Sequence, residues 1–411
     1  MHKIWIAVVF TGVLFNTLFV SCHVQTAPAL FDASDKLEEP YGTVSFFTVG
    51  AASTQDKQLD AITKIGMTNI RQDFKFNFQD DTDTTKYNLY DSVFSKNDKL
   101  QINNIAVLEA GNKNHRPWND KRNYISKLNV FVNRYQNDIR YWEFINEINW
   151  LRDSTQVYDG LRYCSILPDV YHTIKGISPD NRVLLSGLAG VNVDILKTLC
   201  KEKAFNYFDI FNFHAYCEPE KLPEYFQIIR KYMDNYDWDK PVWMTEYGYA
   251  TNIEKNGALT KEEKEIVQAK YVARAHLISF AHGVEKVFWY SFRSWEADPY
   301  DKEQHFGLTH VDVSPKPAYK AYGIFTDMCP SGSSRPVITK SGNIFISEWN
   351  KPDGTKVNAV WIPEGQKDIK LKIKGRYKIY DYMGESIKKI ETISDGVTFV
   401  VGAKSVKINL E

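Results

Sequence analysis

Glu147 and Glu246 are the side chains of this sequence with the strongest claim to chemistry. Glu147 closes the run Tyr141-Trp-Glu-Phe-Ile-Asn-Glu147, whose bulky apolar residues suit a buried strand. Glu246 closes Pro241-Val-Trp-Met-Thr-Glu246 in the same way. A carboxylate at the end of an apolar strand has a poor structural excuse, because burial penalises its charge. Two such groups facing each other divide the work of double displacement: one protonates a leaving oxygen, the other attacks the sugar's anomeric carbon. That chemistry needs the carboxyl groups about 5 to 5.5 Å apart. The residues between the two glutamates do not oppose it, provided the fold gathers its strand ends.

The surrounding text supplies such a fold. From Tyr41 short apolar runs alternate with helical stretches, the pattern of a parallel sheet wrapped by helices. Strands are predicted over 43–49, 69–74, 102–108, 141–146, 183–186, 208–213, 241–244 and 286–290. Helices are predicted over 56–65, 123–135, 158–175 with Pro168 as an interruption, 223–233, 261–280 and from Lys316 to about Thr326. Tyr41 to Thr326 suits eight strand–helix units, which typically need about 250 residues. Glu147 and Glu246 then fall at the carboxyl ends of the fourth and seventh strands, where such barrels keep their active sites. Closely spaced strands beyond Pro336 predict a small all-β domain, a β-sandwich. The expected organisation is a leader over 1–22, a linker over 23–40, a (β/α)8 TIM barrel over 41–328, a linker over 329–336 and the β-sandwich over 337–411.

The composition closes several other routes. The chain has 51 basic and 51 acidic residues, so a nucleic-acid or anionic-membrane surface is not expected. Lys3 followed by the apolar run to Val20 reads as a secretory leader. Leu18-Phe-Val-Ser-Cys22 resembles a lipoprotein cleavage site with Cys22 as the lipidated residue; a plain cleaved signal is the alternative. Either way the protein is expected to be exported, touching a membrane only through that anchor. The remaining cysteines match no zinc or disulfide spacing. Neither a metal constellation, a Gly-rich phosphate loop nor a nucleophile elbow is found, so no cofactor is expected.

With these residues placed, the chain resembles the glycoside hydrolase clan A barrels, near the cellulase-like families 5 and 39, over Tyr41 to Thr326. The resemblance implies that Glu147 is the general acid/base and Glu246 the nucleophile. Asn146 then resembles the residue that binds the sugar 2-hydroxyl, and Arg71 the arginine that holds the nucleophile ionised. His214 and Tyr216 resemble the pair beside the nucleophile, Trp289 the sugar platform of the eighth strand, and His115 a third-strand histidine of family 5. Trp118, Trp150 and Trp295 follow strands three, four and eight and would line a cleft for successive sugar rings. Each has a structural alternative: Arg71 paired with Asp73, His214 as a core imidazole, each loop tryptophan as an anchor. The implied function is a retaining glycosidase on a β-linked polysaccharide or oligosaccharide, with an endo-β-glucanase favoured over a β-xylosidase or β-mannanase. A non-catalytic glycan-binding surface lipoprotein is the alternative from another class.

Overall fold

The computed structural model describes residues 25–26, 28–47, 52–74, 85–109, 116–151, 159–255, 257–366, 369–373, 377–388, 392–402 and 408–410. His115, Cys22 and the leader lie outside the described residues. In chain order the first elements are β1 (Gln25–Thr26), β2 (Tyr41–Val44), α1 (Gln55–Lys64), β3 (Asn69–Phe74), α2 (Thr85–Lys99), β4 (Asn103–Leu108), α3 (Lys121–Tyr135) and β5 (Ile139–Phe144). There follow α4 (Gly160–Ile177), β6 (Arg182–Leu184), β7 (Leu188–Ala189), α5 (Val193–Lys201), β8 (Phe211–Ala215), α6 (Leu222–Tyr236), β9 (Val242–Tyr247), α7 (Lys261–Ala281), β10 (Lys286–Trp289) and α8 (Pro317–Met328).

Strands β2 to β10 form one parallel sheet in the order β6-β5-β4-β3-β2-β10-β9-β8-β7. Isolated parallel pairs Asn146↔Gly187 and Leu184↔Ile210 bridge its two ends. This is the (β/α)8 barrel, with the fifth strand split into β6 and β7. Residues of β2, β3, β4, β8, β9 and β10 are almost all buried, as expected of strands covered by helices on one side and filling a barrel on the other. Pro168 does not interrupt α4, which runs through it.

The C-terminal region comprises β11 (Val337–Ser341), β12 (Ile344–Asn350), β13 (Lys356–Trp361), β14 (Ile369–Ile373), β15 (Lys378–Tyr380), β16 (Thr392–Ile393), β17 (Thr398–Val401) and β18 (Ile408–Leu410). Six strands pair in the order β1-β11-β12-β13-β17-β15, and β16-β14-β18 form a second sheet. Alternation along β13 explains how the larger sheet is used. Val357, Ala359 and Trp361 join the barrel's apolar core, whereas Val360 packs with Ile393 of the second sheet. One face therefore lies on the barrel and the other on the smaller sheet. This also explains why α7 is buried nearly all round: Arg274 bonds to the Asp395 carbonyl and Tyr271 to Glu364 across that contact.

Neither expected linker behaves as a spacer. In 23–40, Leu30 and Phe31 both donate from their backbone N–H to the His282 carbonyl at 3.0 Å. Phe31 packs edge-on against Phe226, Leu37 is fully buried, and β1 pairs antiparallel with β11. Apolar side chains in a segment read only as a connector are what dock it. Between Cys329 and Pro336, Arg335 bonds to the carbonyls of Val284 and Phe280 at 2.9 and 3.2 Å, and Cys329 is fully buried.

Candidate active site

Strand β5 ends in a backbone that most side chains avoid. Ile145 has φ 69° and Glu147 φ 47°, left-handed values that are costly for a β-branched residue such as Ile145. The contortion turns Glu147 to the barrel mouth, where its side chain keeps 24% of its exposure. On the facing wall, the pairing of β8 with β9 shifts register between Phe213 and His214, so His214 pairs with Glu246. A second shift between β10 and β9 spans the same residues, from Val287↔Met244 to Trp289↔Tyr247. Bulges of this kind re-aim side chains beside active sites, and here they direct Glu246 inwards.

The two glutamates meet at His214. Nδ1 of this fully buried imidazole lies 2.7 Å from Glu147 Oε1 and 3.4 Å from Glu246 Oε2. One carboxylate oxygen of each glutamate lies within 4.8 Å of the other's. Arg71 Nη1 donates to Glu246 Oε1 at 2.7 Å, and the Tyr216 hydroxyl donates to Oε2. Both oxygens of Glu246 are thus held by donors. Asn146 Oδ1 accepts from Arg71 Nη2 at 2.7 Å.

Arg71 has a third partner, which no motif in the sequence marks. Glu143, wholly buried within β5, accepts from its Nε and Nη2, each at 2.7 Å. This changes the electrostatics expected of the site. Burial alone opposes the Arg71 charge, but Glu143 and then Glu246 outweigh it and hold the guanidinium well above its usual range. Burial pushes the Glu246 carboxyl up, Glu147 adds to the rise, and His214, Arg71 and the Tyr216 hydrogen bond offset only part of it. Arg71 does pull Glu246 down, as the resemblance implies, but burial is the larger effect and the net shift is upward.

The cleft above these groups measures about 550 Å³. Its walls include Phe46, Asp73, Trp150, Tyr225, Tyr290, Lys302, Glu303 and Phe306 alongside the residues already named. The tryptophans divide. Trp150 is 66% exposed and lines the cleft. Trp118 packs half-buried against the core, and Trp295 rests on Phe46 under the Arg293 guanidinium, outside the cleft lining. Trp289 is fully buried and donates from its indole to the Phe306 carbonyl at 3.2 Å. It is a core residue, because alternation along the strand turns its neighbour Tyr290 to the cleft instead. Lys302 and Glu303, on the loop after β10, carried no pattern that marked them in the sequence.

Among the described residues, two groups bring three potential metal ligands within 4.8 Å: Glu147–His214–Glu246 and Glu265–Glu296–His310. In the first, Arg71 and Tyr216 already hold the Glu246 oxygens. In the second, Lys261 and Lys316 bring ammonium groups to within 3.1 and 3.8 Å of Glu296. In both groups, donors of the chain thus already hold carboxylate oxygens.

Residues 196–321 match the family model of the glycosyl hydrolase catalytic core. This part of the barrel is thus similar to the catalytic core of glycosyl hydrolases. The fold is shared with a family 39 glycoside hydrolase from the gut symbiont Bacteroides cellulosilyticus WH2, at TM-score 0.71 and 19% identity, over 90% of this chain and 82% of that one. A monomeric beta-xylosidase from Caulobacter crescentus CB15 follows at TM-score 0.63 and 14% identity, over 91% and 98% of the two chains. A family 51 alpha-L-arabinofuranosidase from Bifidobacterium longum aligns at TM-score 0.61 and 11% identity, over 93% and 99%. A search of the curated proteins finds no match for the chain.

Proposed function

We propose that this glycoside hydrolase retains configuration, with Glu246 as nucleophile and Glu147 as general acid/base, and acts on the ends of short β-linked oligosaccharides. The observation that carries the mechanism is the approach of the two carboxylates, whose nearest oxygens lie within 4.8 Å of each other. Retaining enzymes need about 5 to 5.5 Å between carboxyl groups, whereas inverting ones leave about 6.5 to 9.5 Å for a water. The difference in access fits the roles. Glu246 is sunk below the cleft between two donors, and Glu147 is open enough to meet a leaving oxygen and later a water.

In the first step Glu147 protonates the leaving oxygen while Glu246 attacks the anomeric carbon and forms a glycosyl ester. In the second, Glu147 takes a proton from water, which attacks the same carbon and frees Glu246. Burial helps at the attack, since the charge that Glu246 carries at a cost is lost into the ester.

The substrate reading departs from the endo-β-glucanase expectation. That expectation rested on three loop tryptophans, of which Trp150 alone lines the cleft. A cleft of about 550 Å³ has the size of an ordinary small-molecule site rather than of a long groove. A β-xylosidase-like, chain-end activity is the reading this supports. Incubation with β-xylo-, β-gluco- and β-manno-oligosaccharides and their polymers tests it. Release of monosaccharide from oligosaccharides is expected, and a ladder from a polymer would restore the endo reading. Silence on every substrate would favour a glycan-binding role. We further propose export with a lipid on Cys22, which radiolabelled palmitate and a Cys22→Ser variant would test.

A further inference from the structure

Glu143 is a buried charge that the proposed chemistry does not use. It is the penultimate residue of β5, four residues before Glu147, with no solvent exposure. Three donors converge on it: Arg71 Nε to Oε2 at 2.7 Å, Arg71 Nη2 to Oε1 at 2.7 Å, and the Gly187 backbone N–H to Oε1 at 3.0 Å. A two-point carboxylate–guanidinium pair fixes the plane of the guanidinium, which one contact cannot do. With that plane fixed, Nη1 is aimed at Glu246 and Nη2 also reaches Asn146. Gly187 belongs to the arrangement. A Cβ there would lie 2.9 Å from Glu143 Oε1 and 2.3 Å from His214 Nε2, so only glycine brings this N–H so close.

We propose that Glu143 is a positioning residue for the nucleophile, acting through Arg71: it sets the guanidinium's plane and takes up its charge, so that Glu246 receives an aimed hydrogen bond without the field of a free cation. The inference rests on the reading of Glu246 as nucleophile. Its logic is that of differential stabilisation. Glu246 loses its charge as the ester forms, so an uncompensated Arg71 would favour the free carboxylate over the transition state and slow the attack. Other charged or titratable groups near the cluster are Asp73 on β3, Glu147 beyond β5, His214 and Tyr216 on and after β8, Tyr290 after β10, Glu303 on the following loop, and Tyr163 of α4.

The test is the pH dependence of trapping by 2,4-dinitrophenyl 2-deoxy-2-fluoro-β-D-xyloside and -glucoside, with the labelled peptide identified by mass spectrometry. The activated leaving group needs no acid, so the acid limb reports the nucleophile. Glu143→Gln leaves Arg71 with an unmatched charge. Its label should stay on Glu246, the trapping rate should fall at least about tenfold, and the acid limb should move about one pH unit lower. Glu143→Asp keeps the charge but retracts it, so its rate should fall while its limb stays in place. A Gln variant labelled on Glu246 with its limb unmoved or raised overturns the proposal. Should that variant not fold, the Asp variant decides: a slower rate with an unmoved limb supports the proposal, and a wild-type rate overturns it. Label on another residue of the wild-type protein overturns the nucleophile reading itself, and this inference with it.

Discussion

Nδ1 of His214 lies 2.7 Å from Oε1 of Glu147. The other ring nitrogen, Nε2, is buried with no hydrogen-bond partner among the described residues. A bare lone pair costs less there than a stranded N–H, so the proton belongs on Nδ1 and is donated to Glu147. His214 thus orients Glu147 for the step in which it accepts a proton from water. His214→Ala should slow release of the glycosyl-enzyme by about 10²-fold, a typical scale for impaired general base catalysis. On dinitrophenyl glycosides, stopped-flow measurements should then show a burst of phenolate before a slow steady state. A single fast phase at the wild-type rate would contradict this role.

The two carboxylates can be told apart by what replaces them. Glu246→Ala and Glu147→Ala should each lower kcat by about 10⁴-fold or more on unactivated substrates. Azide fills the space of the missing carboxylate and should partly restore each variant on activated β-glycosides. The product should be the α-azide from Glu246→Ala and the β-azide from Glu147→Ala, by proton NMR. The same anomer from both would undo the assignment.

Burial raises Glu246 above the ordinary carboxyl range, and this sets the acid side of the rate profile. The reactive form is the anion, so kcat/KM should fall as the pH drops through the raised value. The acid limb should therefore lie above about 4.3, the value of an unperturbed Glu. Initial rates between pH 3.5 and 7 on an activated substrate measure it. A limb below the unperturbed value would mean that Arg71 acts as a free cation after all.

The divided tryptophans predict divided phenotypes. Trp150→Ala should raise KM for di- and trisaccharides by about 2- to 10-fold, the worth of one aromatic contact, and leave aryl monoglycosides nearly unchanged. Trp289→Phe removes an indole bonded to the Phe306 carbonyl in a packed core and should cost about 2 kcal/mol in urea unfolding. Equal effects on KM and stability in the two variants would contradict the separation.

His276 couples the fold to pH at a place remote from the cleft. Burial lowers it to about 4, against a partial rise from its bond to the Val272 carbonyl. The unfolded chain, with His near 6.5, binds the extra proton between these values. The neutral imidazole's contribution is therefore complete above about 6.5 and declines as the pH falls towards 4, by about 3 kcal/mol. Urea midpoints at pH 7 and pH 5 should differ by less in His276→Gln than in the wild type.

The sequence exposed what repeats and what is out of place. Eight strand–helix units repeat, and the barrel was legible from them. Glu147 and Glu246 were out of place at the ends of apolar strands, and so were found. Glu143 was equally out of place between Trp142 and Phe144, where a buried carboxylate demands a buried cation. Its cation, Arg71, lies 72 residues away on β3, and no local pattern links the two. Trp289 and Tyr290 are separated by a single step of strand alternation, and no propensity fixes which neighbour faces the cleft. Bulges decide it, and they arise from contacts between strands distant in sequence. The docking of the 23–40 segment was hidden for the same reason, since its partners lie hundreds of residues away.

That last contact bears on how the chain comes to its folded state. Gln25 and Thr26 pair with Lys340 and Thr339, and Leu37 bonds to Ser333. None of these partners exists until most of the polypeptide has left the ribosome, roughly 15 to 60 s after the first strand at ordinary elongation rates. The barrel cannot close before β10 arrives to meet β2 either. The amino-terminal residues are thus among the first made and the last seated. An unpaired two-residue strand offers little edge for mispairing during that wait, and its brevity suits a segment that must remain single until the end.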